Sequence, residues 1–182
     1  MLYILMLQNS LSGVDKLSES SMGFSHRHRE GLLSAVSAGF FLVLAGMLFA
    51  TTPDLFQEFI DFFNGGFPWV RIPNTDIWLF APTNPGGYTV IYQAVQQFCL
   101  IWGIFLVAML VARFVIHSPS RRKAENVGDM FFWLGAAYVV QTMLLDKRPT
   151  YTEWFAFWAE ILMLLGVSLI ARAIFLAATR KG

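Results

Sequence analysis

The chain has 182 residues, 56% of them hydrophobic and only 14% charged, with a formal net charge of +1. An ordinary soluble domain carries roughly 25% charged residues, so this composition belongs to the membrane class. The near-neutral balance, with basic residues scattered in short groups at the ends of apolar segments, excludes nucleic acid as a partner, and the single cysteine, Cys99, excludes an intrachain disulfide or a thiolate metal site built within one chain.

Residues 1–30 read as a cytoplasmic tail. Met1 to Leu7 is apolar but too short to cross a bilayer; no basic residue precedes it and no small-residue cleavage pattern follows, so no signal peptide is predicted. A serine-rich stretch leads to His26-Arg27-His28-Arg29-Glu30, whose place beside a span accounts for it as a basic flank without a bound metal or lipid headgroup. The first span is predicted over 32–50. Its Ser34, Ala35, Ala38, Gly39, Gly46 and Ala50 stand at the small-residue spacing that lets a second helix approach closely.

Residues 53–87 form the predicted outer loop. Thr51-Thr52-Pro53 reads as one helix ending and another starting, with Thr52 as N-cap and Pro53 in the first helical position. Beyond it Asp54, Gln57, Glu58 and Asp61 share a face opposed by Leu55, Phe56, Phe59, Ile60, Phe62 and Phe63, the pattern of an amphipathic helix lying in the membrane interface. Asn64-Gly65-Gly66 ends that helix. Phe67 to Pro82 then predicts two short extended runs, hairpin-like, around a turn at Pro73-Asn74-Thr75-Asp76, and Asn84-Pro85-Gly86-Gly87 is a second turn.

The second span, 88–116, holds no charge before Arg113 and is long enough to cross a bilayer with residues to spare. A third is predicted over 127–145, opened by Asn126 as N-cap with Asp129 three residues on. The tight link Asp146-Lys147-Arg148-Pro149 makes spans three and four antiparallel neighbours. Thr150 and Glu153 stand at capping-box spacing before the fourth span, 154–178, and residues 179–182 form the C-terminus. The fold class expected is therefore an all-α integral membrane protein, a single four-transmembrane-helix bundle over 31–178. Arg27 and Arg29 precede span one, Arg113, Arg121, Arg122 and Lys123 follow span two, and Arg172, Arg180 and Lys181 end span four. The positive-inside bias then puts both termini in the cytoplasm, with the plasma membrane as the expected location, and Trp69, Trp78, Trp154 and Trp158 in an aromatic belt at the outer surface.

Chemistry is concentrated in one intramembrane polar cluster. Gln93, Gln96 and Gln97 fall within roughly a 100° arc of span two, Gln141 lies near the outer end of span three, and Glu160 lies about 10 Å inside the outer end of span four. An ionised carboxylate at that depth needs partners or a proton. Two readings follow: interhelical glue that sets the register of the spans, or an outward-facing cavity for an ion or small molecule with Glu160 as the titrating group. No intramembrane histidine is present to ligate haem, and no HExxH, GxSxG or Walker loop occurs, so neither a cofactor, a metal nor a catalytic residue is predicted. The sequence leads to a non-catalytic multi-pass protein, a structural or accessory subunit whose partners are the lipid bilayer and other membrane subunits or further copies of itself. A small channel or transporter built around Glu160 is the alternative.

Overall fold

The computed structural model describes residues 31–72, 75–116, 118–146 and 149–179. The expected tail with its His26–Glu30 group, the turn residues Pro73 and Asn74, His117, Lys147, Arg148 and the last three residues lie outside the described residues. The chain divides into two compact units, Met1–Phe41 and Leu42–Gly182. Among the described residues four helices are long and apolar enough to cross a membrane.

The first of these, α1, is Gly31–Thr51. In the part of it that belongs to the second unit, Leu44 and Leu48, one turn apart, are the buried positions, while Gly46 and Ala50 stay exposed. A Cβ added at Gly46 meets no atom within 4 Å, so the close approach expected at that small residue is not made among the described residues.

The connection that follows is structured. Helix α2, Leu55–Asn64, begins after Asp54, which occupies the left-handed region at φ 58° with no side-chain cap bond. The N-cap is thus Asp54 and not Thr52. Pro53 sits in the turn before the helix, and an aspartate, with its short polar side chain, tolerates the left-handed conformation better than most residues. Gly65 closes the helix through its N–H to the Asp61 carbonyl, 2.7 Å, and Gly66 reverses the chain at φ 81°. Strands β1, Trp69–Arg71, and β2, Trp78–Phe80, pair antiparallel with Trp69 opposite Phe80, Val70 opposite Leu79 and Arg71 opposite Trp78. The Arg71 guanidinium closes the far end of this hairpin on the Thr75 carbonyl and the Asp76 carboxylate. Its near end is anchored by the buried Ala81 and Pro82 and by the Thr83 hydroxyl, which donates to the Gly65 carbonyl at 2.7 Å.

A 3-10 turn, Pro85–Gly87, hands the chain to α3, Thr89–Val115. Helix α4 runs Ser120–Val140 and continues as a π-helical turn, Gln141–Leu145; α5 is Tyr151–Thr179. Helix α4 starts at Ser120, well before the 127 expected, with Pro119 at the N-cap and Asn126 inside the helix. The expectation followed the onset of apolar residues, but nothing in Ser120 to Glu125 breaks a helix, so the hydrogen-bonded turns begin earlier than the apolar run.

Helix α4 is the centre of the second unit, with α3 packed along one side, α5 along the other, and sparse contact between α3 and α5 themselves. Close approach is made by glycines: a Cβ at Gly103 would lie 2.5 Å from Leu134 of α4, and one at Gly128 would lie 3.1 Å from the Ser168 carbonyl oxygen of α5. The largest core cluster gathers Ala81, Tyr92, Val139, Val140, Leu144, Trp154 and Phe157, joining the hairpin base to all three helices. A second, Leu55 with Ile91 and Ala94, holds α2 against α3.

Candidate functional site

The starts of α3 and α5 stand at one level, because Thr89, Pro149 and Thr150 line a single cavity of about 370 Å³ together with Asn84, Gly86, Leu144 and Leu145. At about 1.5 Å of rise per residue, Gln97 lies roughly 12 Å along α3 from that level and Glu160 roughly 15 Å along α5. All five residues of the expected polar cluster are on this half of the unit. Their side chains take separate directions. The buried stripe of α3 is Ile91, Tyr92, Ala94, Cys99, Gly103, Leu106 and Met109, so Gln93 and Gln97 are left exposed and Gln96 half-buried at its edge. Gln141, in the π-helical turn, donates its amide to the Asp146 carboxylate at 2.7 Å. Glu160 is half-buried on the flank of the stripe that α5 turns to α4 through Phe157, Ile161 and Leu164. Among the described residues no hydrogen bond or ion pair joins Glu160 to any of the glutamines, and α4 stands between α3 and α5.

The opposite half holds a charge network that sequence reasoning missed. Arg172 of α5 donates to Glu125 of α4 at 2.9 Å, and Arg121 approaches the same carboxylate oxygen at 3.4 Å. One turn further along α4, Asp129 lies on the same helical face as Glu125. Arg113, near the end of α3, donates to the Arg122 carbonyl at 2.6 Å, and the Lys123 ammonium stands 4.6 Å from the centre of the Phe114 ring. Between them Asn126, 3% exposed, donates its amide to the Leu106 carbonyl at 2.8 Å. The network joins α3, α4 and α5 at their basic ends. Its signal was the pair Glu125 and Asp129, four apart on one helical face; placing the helix start at Asn126 left Glu125 outside the helix and Arg172 without a partner.

The cavity at the other end carries the polar residues Asn84, Thr89 and Thr150 among Gly86, Leu144, Leu145 and Pro149. Thr150 is committed elsewhere: its N–H donates to the Glu153 carboxylate at 2.9 Å, the backbone half of a capping box, while its hydroxyl meets the same carboxylate and accepts from the Thr152 N–H. Among the described residues no group of three or more histidine, cysteine, aspartate or glutamate side chains is placed to hold a metal ion. What the polar groups along α3 and α5 can do is donate and accept hydrogen bonds in an apolar surround. Compared with protein families, with characterised proteins and with solved structures, the chain matches none.

Proposed function

We propose that this chain is an integral protein of the plasma membrane, with both termini in the cytoplasm, that serves as a non-catalytic building block of a homo-oligomer or a larger membrane complex. The observation that carries this is the exposure of Gln93 and Gln97 on α3, together with Glu160 on α5, which has no partner among the described residues. A charged side chain deep in a bilayer costs about 2.5–3.5 kcal/mol on insertion scales, so such groups turn to a protein partner in preference to lipid. Hydrogen bonds between such groups across helices contribute about 0.6–2 kcal/mol each.

The orientation is supported by Arg113, Arg121, Arg122, Lys123 and Arg172, which sit at one end of α3, α4 and α5. At the other end Phe56, Phe59 and Phe63 of α2 and Trp69, Trp78 and Phe80 of the hairpin are exposed. Such aromatic surface belongs at the boundary between headgroups and acyl chains.

The test is gentle extraction from native membranes followed by native mass spectrometry. A building block emerges as a defined multimer or with defined partner subunits. A chain that emerges alone contradicts the proposal. Ion flux by that monomer in vesicles, abolished by Glu160→Gln, would support a small channel or transporter in its place.

A further inference from the structure

We infer that the partner is a second copy of this chain, and that the α3 amide of Gln97 in one copy pairs with Glu160 on α5 of the next. The inference rests on the building-block reading and names its contact.

Three features carry it. The first is level: with the starts of α3 and α5 lining one cavity, Gln97 and Glu160 lie within about 3 Å of the same depth at 1.5 Å of rise per residue. The second is chemistry. A primary amide offers two N–H donors and an ionised carboxylate only accepts, so the pair is complementary, whereas two Glu160 side chains brought together repel unless they share a proton. The third is placement. Donors and acceptor lie on helices that α4 separates, so they do not satisfy each other within the chain, while two copies side by side bring the α3 of one to the α5 of the other. Small residues beside the carboxylate, Ala156 and Ala159, of which Ala159 is exposed, let a neighbouring helix come within hydrogen-bonding reach. Around the pair the same faces are apolar, with Leu100 and Ile104 exposed on α3 and Met163 and Val167 on α5, which supplies packing.

The test uses the full chain in native membranes with Cys99→Ala as background and reporter cysteines that leave the pair intact. One copy carries Leu100→Cys and one tag, the other Met163→Cys and a second tag, and the two are co-expressed and oxidised. The expected product is a disulfide-linked dimer bearing both tags, exceeding by about tenfold the dimers formed when either variant is expressed alone. Adding Glu160→Ala to the second copy should remove most of it, and Glu160→Gln, which still hydrogen-bonds an amide, should retain it. Links only between like positions, or no doubly tagged dimer, would overturn the pairing. If native mass spectrometry still shows a multimer or partner subunits in that case, the building-block reading stands and only this contact is lost.

Discussion

At Gly128 the backbone of α4 meets that of α5, and a Cβ there would lie 3.1 Å from the Ser168 carbonyl oxygen and 3.4 Å from the Arg172 Cβ. Neither neighbour is the free end of a flexible side chain, so α5 must give by a few tenths of an ångström to admit a methyl group. Gly128→Ala is expected to lose about 1–3 kcal/mol, the range for overpacking, seen as a fall in the midpoint of thermal unfolding in detergent. Gly166 of α5 faces open space; there Gly166→Ala should leave the midpoint unchanged or raise it, since alanine is the better helix former by about 0.5–1 kcal/mol. Equal losses at both sites would mean that the α4–α5 contact is not where it is described. A few residues away, removing Arg172 leaves Glu125, among the described residues, only the longer and more exposed contact to Arg121. The stability lost in Arg172→Met should therefore be partly recovered in the double variant Arg172→Met with Glu125→Gln, the sign of a coupled pair. Additive losses would show that the ion pair contributes nothing to the join.

Among the elements, the connection between α1 and α3 is the part whose job is set by its surface. Helix α2 turns Phe56, Phe59 and Phe63 outward, and the hairpin exposes Trp69 and Trp78. If these lie at the headgroup boundary, tryptophan fluorescence of a chain retaining only Trp69 and Trp78 should be quenched more by lipids brominated near the headgroup than by lipids brominated deep in the acyl chain. Quenching by neither would place the hairpin in water. The four apolar helices are legible in the sequence because an uninterrupted apolar run is a strong signal. Other features were hidden for physical reasons. The start of α4 was misplaced because apolarity marks where a helix is fit to enter lipid, while the helix itself begins at Ser120. The π-helical turn Gln141–Leu145 has no residue pattern of its own. Small-residue spacing points to α1, yet among the described residues the glycines of the long helices that meet a neighbouring helix are Gly103, Gly128 and Gly135. Helical arithmetic places Gln93 and Gln97 on one face of α3, but only packing reveals that the face turned inward is the one carrying Tyr92, Cys99 and Leu106. That is why five residues at the expected depth do not form one hydrogen-bonded cluster.

In the molecule as a whole, charges are paired at one end, while among the described residues Gln93, Gln97 and Glu160 are left without a hydrogen-bond partner in the other half. Glu125, Arg172 and Asn126 close the basic ends of the helices on each other, whereas Glu160 and the exposed amides of α3 face outward or sideways. Its orientation is checked by single cysteines at positions 10 and 182, introduced as Ser10→Cys and Gly182→Cys in a Cys99→Ala background. Both should react with a membrane-impermeant reagent only after the membrane is opened, and labelling of either from outside would reverse the topology. The central claim is that the unpaired groups bind one chain to another, and it is tested most directly by comparing the native mass of the extracted wild-type chain with that of Glu160→Ala. The account predicts a multimer for the wild type and a shift toward monomer in the variant. A wild-type chain that is monomeric and free of partners after gentle extraction, or a multimer untouched by loss of the Glu160 side chain, would contradict it.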